Sequence, residues 1–315
     1  MNKVIILLGP TGVGKTAVSL LLAERMGTEI ISADSMQIYR HMDIGTAKPS
    51  HEERARVNHH MIDIVESWES FSAGKYIAAV VPIIERLFLE GKIPVIVGGT
   101  GLYIKAMTRG IFSGPSADWS LREELLAREY EKPGALYEYL KEIDAEAAEK
   151  ITPKDTRRIV RALEVCLSGA VKMSEMQKRF TRPLPYEFVK IGLLRERKEL
   201  YSLIEKRVDA MVACGLENEV RTVSALAEGM QTSPLPSMQA IGYKEIMLYL
   251  RGEISLEDAI SLIKQGSKRY AKRQFTWFRK EEGISWIDIT GEYEDSEIFD
   301  HVRATLKKEY GIEIS

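Results

Sequence analysis

Gly9-Pro10-Thr11-Gly12-Val13-Gly14-Lys15-Thr16 has the spacing G-x-x-x-x-G-K-[ST]. Such a loop suits phosphate. Its glycines let the backbone curl until N–H groups point inward at phosphate oxygens, and a helix N-terminus behind them adds positive potential. Lys15 is expected to reach the outer phosphates, and Thr16 to hold a magnesium ion. The motif needs a strand before it and a helix after it. The apolar run Val4 to Leu8 and the periodic stretch Ala17 to Met26 supply both. The chain is therefore expected to grip a diphosphate or triphosphate. What it does with that group must come from other residues.

Asp34 is the first of these. It follows a short strand, Glu29 to Ser32, and heads the segment Asp34-Ser35-Met36-Gln37-Ile38-Tyr39. In an open parallel sheet, ligands sit beyond the carboxyl ends of the strands, which puts Asp34 on the rim of the phosphate loop. Three roles fit that position: a ligand to magnesium-bound water, a general base for an incoming nucleophile, and a strand-end cap. A second glycine-rich loop, Gly98-Gly99-Thr100-Gly101-Leu102-Tyr103, follows the apolar run Ile93 to Val97 and points to the same rim. Lys264 to Lys280 carries Lys264, Lys268, Arg269, Lys272, Arg273, Arg279 and Lys280 and no acid, the pattern of a phosphate-backbone track. Tyr270, Trp277 and Phe278 share one stripe of that helix and read as core. Arg157, Arg158 and Arg161 form a second basic cluster, and two basic surfaces facing a cleft would suit a folded RNA. The five histidines have no metal-site spacing and read as non-catalytic.

The elements that must position these groups alternate between strand and helix over the first hundred or so residues. A third strand is expected at Met61 to Val65, a helix at Ser72 to Glu90, and the central strand at Ile93 to Val97. The fold class is α/β: a doubly wound, P-loop NTPase-like parallel sheet flanked by helices. The pattern breaks at Gly114-Pro115-Ser116, and helices follow at Leu121 to Tyr130, Ala135 to Ile143 and Arg157 to Leu167, the last capped by Asp155. Residues 115–187 thus read as a helical insertion in a core made of 1–114 and 188–315. That core resumes with a strand at Phe188 to Leu193. Helices at Lys198 to Ala213, Leu216 to Glu228, Ile241 to Leu250 and Leu256 to Arg279 come next, then a strand at Ser285 to Ile289 and a helix at Ser296 to Lys308.

The 315 residues carry a net charge of −2, so any attraction to nucleic acid must be local. An apolar fraction of 45% supports a substantial core. Cys166 and Cys214 lack metal spacing and read as reduced thiols. The first strand starts almost at Met1, so no secretory signal is expected, and no apolar run approaches a membrane span. We expect a cytoplasmic protein without membrane contact. A small-molecule kinase would account for the phosphate loop and Asp34 but not for the acid-free segment. A nucleotide-switched RNA-binding protein would leave Asp34 and Thr100 without a task, and no Asn-Lys-x-Asp motif is present.

Several ordered segments resemble the bacterial tRNA dimethylallyltransferases: residues 9–16, Asp34 to Tyr39, Asp43 to Pro49, Gly98 to Tyr103, Arg161 to Val165, Gln239 to Glu245 and Tyr270 to Gln274. The resemblance runs from the first strand to about Trp286. It implies transfer of a dimethylallyl group from dimethylallyl diphosphate to N6 of the adenosine at tRNA position 37, in tRNAs reading codons that start with U. It implies Asp34 as general base, with Thr100 bonding at the same centre. Gly9, Pro10, Thr11, Gly12, Val13, Gly14, Lys15 and Thr16 would hold the departing diphosphate with Mg2+ near Thr16, and Arg207 would share that charge. It implies that the anticodon stem-loop meets Asp34, Ser35, Met36, Gln37, Thr100, Arg122, Arg157, Arg158, Ile159, Val160 and Arg161. Further contacts would come from Gln239, Ala240, Ile241, Gly242, Tyr243, Lys244, Lys268, Arg269, Lys272 and Arg273. A monomer is expected. Gln239 and Lys244 stand where some relatives carry arginine, and Ser267-Lys268 where Thr-Arg is frequent.

Overall fold

The computed structural model describes residues 2–112, 114–169, 171–227 and 237–314. They form two compact units: residues up to Ile104 together with those from Pro185 on, and Lys105–Leu184. The smaller unit starts inside a helix, at Lys105, whereas composition placed the break at Gly114-Pro115.

The chain opens with β1 (Lys3–Leu8), α1 (Lys15–Met26), β2 (Ile30–Ser32), α2 (His51–Arg56), β3 (His59–His60), α3 (Ala73–Leu89), β4 (Val95–Gly98) and α4 (Gly101–Thr108). The smaller unit continues with α5 (Trp119–Glu131), α6 (Ala135–Ile143), α7 (Ala145–Glu149), α8 (Thr156–Gly169) and α9 (Met173–Phe180). The larger unit resumes with β5 (Glu187–Leu194), α10 (Arg197–Ala213), α11 (Leu216–Leu226), a 3-10 turn at Ser237–Gln239, α12 (Tyr243–Leu250), α13 (Leu256–Phe278), β6 (Ile284–Asp288) and α14 (Asp295–Tyr310). Glu228, the end expected for α11, lies outside the described residues.

All six strands pair in parallel, in the order β3-β2-β4-β1-β5-β6. Val4 to Leu8 are wholly buried, as a central strand covered on both faces requires. Val18 and Leu22 of α1, Ile191 and Leu193 of β5, and Val302 and Leu306 of α14 share that core. A second core joins Val208, Val220, Tyr243 and Ile263 to Ile38, Tyr39 and Met42. One expected strand is corrected. Met61 and Asp63 take φ of 63° and 56°, values that break extended backbone. Pairing with β2 therefore stops at His60, and Val65 makes only an isolated bridge to Tyr39.

In the smaller unit Leu136, Leu140, Ile159 and Leu163 form the core. Asp155 caps α8 through a 3.3 Å bond from the Arg158 N–H. Among the described residues, no helix is long and apolar enough to cross a membrane.

Candidate active site

Three loops meet where β1, β2 and β4 end, because β4 lies between β1 and β2 in the sheet. The first is the phosphate loop. Gly14 takes φ 108°, a conformation that L side chains avoid, and this lets the chain turn straight into α1. Arg195 holds the loop from behind. Its guanidinium donates to the Val13 carbonyl at 3.3 Å and the Ile289 carbonyl at 2.7 Å, and pairs with Glu199. Lys15 curls over its own loop and donates to the carbonyls of Gly9 (3.0 Å) and Pro10 (2.8 Å). Burial, with help from the Arg207 charge and against the pull of Asp34, brings its amine down to about 7.

The second loop carries Asp34. Its Oδ1 accepts the N–H groups of Met36 (2.8 Å) and Gln37 (3.4 Å), so one carboxylate oxygen braces the loop. No bond among the described residues uses Oδ2. The strand-end cap and a chemical role are thus compatible, one oxygen each. The third loop supplies Thr100. Its hydroxyl accepts the Ser35 N–H at 3.0 Å, and its own N–H donates to the Ala33 carbonyl at 3.1 Å. These bonds lock the second and third loops together.

Between the loops lies a cavity of about 340 Å³, lined by Gly12, Lys15, Thr16, Asp34, Arg207 and Gln274 among others. Arg207, whose orientation α10 left open in the sequence, turns into it. Burial lowers its pKa and Asp34 raises it. A diphosphate here would meet loop amides, an ammonium and a guanidinium, with a carboxylate beside them. Among the described residues, no cluster of three His, Cys, Asp or Glu could hold a metal by itself. Magnesium asks for less, since it keeps waters and shares phosphate oxygens with one or two protein ligands. The Thr16 hydroxyl, engaged by no hydrogen bond among the described residues, fits that need.

Two residues of the segment Tyr270 to Gln274, which the resemblance placed toward tRNA, belong to the cavity itself. Gln274 points inward from α13 to both glycine loops. Tyr270, one turn earlier, lies beside Thr100 and Gln274, and burial and the Asp34 charge push its phenol upward. The stripe read as core thus divides: Phe278 is fully buried in the core, while Tyr270 reaches the site. An aromatic spacing alone carries no sign of which end of the helix faces a cavity.

The RNA-facing expectations also divide. Arg269, Lys272 and Arg273 are exposed on α13, as are Arg157 and Arg158 on α8 and Gln239 and Lys244 around α12. Lys268 instead pairs with Glu205 and Lys264 with Asp209, so acids of α10 neutralise part of the acid-free segment. Arg122 and Arg161 both bind the buried carboxylate of Glu164. Ile159, Val160, Ala240 and Tyr243 are corrected as side-chain contacts: they are at most 6% exposed and belong to the cores. Gly242 is buried and Ile241 half-buried beside them. Ser35 and Met36 are half-buried at the loop. The Gln37 carboxamide is occupied by Ser32 (2.9 Å) and by the Thr46 and Ala47 carbonyls.

The sequence profile described as IPP transferase matches residues 37–281. A tRNA dimethylallyltransferase of Thermodesulfovibrio yellowstonii is 55% identical over 309 residues, 98% of each chain. The crystal structure of the full-length tRNA isopentenylpyrophosphate transferase from Bacillus halodurans superposes with a TM-score of 0.70 at 41% identity, covering 98% of both chains. A eukaryotic dimethylallyltransferase captured acting on tRNA superposes with a TM-score of 0.83 at 28% identity, over 100% of this chain and 81% of that one.

Proposed function

This chain belongs to the IPP transferase family, and from that premise we propose that it moves a dimethylallyl group from dimethylallyl diphosphate to N6 of the adenosine at tRNA position 37. The observation that carries the reading is the single cavity shared by the phosphate loop, Asp34 and Arg207. Adenine N6 is a weak nucleophile because its lone pair is delocalised into the ring. As N6 bonds to the first carbon of the dimethylallyl group, the carbon–oxygen bond to diphosphate breaks and N6 must lose a proton. Asp34 Oδ2 takes that proton. Negative charge grows on the departing diphosphate, where the loop amides, Lys15 and Arg207 stabilise it. Thr16 would hold Mg2+, which supplies further charge neutralisation to the leaving group when bound. The loop holds a leaving group and transfers no phosphoryl group. The target base must leave its stack to enter the cavity.

The protein acts in the cytoplasm as a monomer in this reading. Radiolabelled dimethylallyl diphosphate and unmodified tRNA provide the test. Label is expected in RNA, at one adenosine beside the anticodon, with release of diphosphate. Label that stays in the donor, or consumption of ATP with a small acceptor, would overturn the assignment.

A further inference from the structure

We propose that Gln274 is a positioning residue that holds the diphosphate loop and the Thr100 loop in one geometry. This deepens the transferase reading above and rests on it. Gln274 is 5% exposed although it lies on a helix whose adjacent Lys272 and Arg273 are in solvent. Its Oε1 accepts the Thr11 N–H of the phosphate loop at 2.8 Å. Its Nε2 donates to the Gly99 carbonyl, next to Thr100, at 2.9 Å. A donor and an acceptor partner at opposite ends of one carboxamide fix its orientation without ambiguity.

The choice of side chain is tightly constrained. A glutamate can accept from Thr11 but, when ionised, cannot donate to Gly99. A lysine can donate but not accept, and an asparagine is one methylene short. The partner loop is shaped to match. A Cβ on Gly99 would collide with Gln274 Nε2, so the glycine lets the carboxamide lie against the backbone. From Gly99 the link continues: the Thr100 hydroxyl holds Ser35, beside Asp34. One buried amide therefore sets the donor's phosphate cradle against the acceptor's base. Misplacing reacting groups by about 1 Å costs on the order of a hundredfold in rate.

Two substitutions test this, with inorganic pyrophosphate affinity, label transfer to tRNA and tRNA affinity as readouts. Gln274→Leu keeps bulk but loses both bonds. Its pyrophosphate affinity is expected to fall about tenfold and kcat about 10- to 100-fold, with tRNA affinity within about twofold. Gln274→Glu replaces the donor by a group that donates only when protonated. Burial beside a carbonyl raises that carboxyl's pKa. The ratio of variant to wild-type pyrophosphate affinity should therefore rise as pH falls from about 8.5 to 5.5. An ionised carboxylate lining the cavity would also repel pyrophosphate, so the loss in the uncharged leucine variant is what separates positioning from repulsion. Wild-type kcat and pyrophosphate affinity in the leucine variant, or a flat ratio in the glutamate variant, would overturn the inference. A wild-type protein that binds pyrophosphate but transfers no label would instead overturn the transferase reading, and the pyrophosphate affinity of the leucine variant would still decide the role of Gln274.

Discussion

Asp34 and Lys15 set the chemistry, and each makes a separable prediction. Asp34→Asn keeps the oxygen that accepts from Met36 and Gln37, so the loop should stay in place. It removes the base, and kcat is expected to fall by about 10²- to 10⁴-fold. Pyrophosphate affinity should hold or improve, because a negative charge near Lys15 and Arg207 is gone. A large loss of pyrophosphate binding in calorimetry would assign Asp34 to metal-water ligation instead. Lys15 has its amine brought down to about 7 by burial and the Arg207 charge. An arriving diphosphate raises it again, so binding above about pH 7 must take up a proton. Affinity is therefore fullest below that pH and weakens as pH rises. Calorimetry at about pH 8 in buffers of different ionisation heat should show uptake approaching one proton, absent in Lys15→Met. Equal heats in all buffers for the wild type would remove Lys15 from the diphosphate site. The same shift fixes the sign for folding. The unfolded chain holds the extra proton between about 7 and 10.5, so the stability of the ligand-free protein gains with pH across that window.

At the scale of elements, α5 and α8 are joined through Glu164. Its carboxylate has no exposed surface, and it accepts from Arg122 at 2.8 and 2.9 Å, from Arg161 and from the Asp118 N–H. Burial opposes its charge, but these donors outweigh it and hold the carboxyl below its usual range. Glu164→Ala should cost about 3–5 kcal/mol, read as a fall in denaturant midpoint, because two half-buried guanidinium groups lose their partner. Its stabilisation is present above the unfolded value of 4.5 and lost as pH falls through the lower folded value. An unchanged midpoint at neutral pH would mean that the arginines find water instead. Glu164 also marks a limit of sequence reading. The helix α8 was legible from periodicity and from Asp155, yet the acid that engages its Arg161, and Arg122 of α5, is Glu164 on its own buried face. The central strands and long helices were legible because uninterrupted apolar runs and 3.6-residue periods leave few alternatives. The third strand was not, since an apolar stretch at Met61 to Val65 says nothing of the positive φ values that end it. The cavity was legible from two glycine loops and Asp34, while Gln274 and Tyr270 were hidden inside a helix that reads as a cation track.

At the scale of the molecule, a chain of net charge −2 must attract a polyanion through local surfaces. Not every cation on α13 counts equally. Lys264 and Lys268 are already paired with Asp209 and Glu205 of α10, whereas Lys272 and Arg273 are exposed and have no carboxylate partner among the described residues. Counterion release sets the scale: each phosphate contact contributes about 0.7 to 0.9 to the slope of log affinity against log salt. Lys272→Ala with Arg273→Ala should reduce the tRNA slope by about 1.5, with the largest loss of affinity at low salt. Lys268→Ala should change it by less than about half a unit, because removing a paired ammonium frees few counterions. Filter binding across a salt series distinguishes the two. Equal slopes for the double variant and the wild type would place the RNA elsewhere, with Arg269 of α13 and Arg157 and Arg158 of the smaller unit the next exposed arginines to test. A large change from Lys268→Ala would mean that tRNA displaces Glu205 and takes that ammonium for a phosphate.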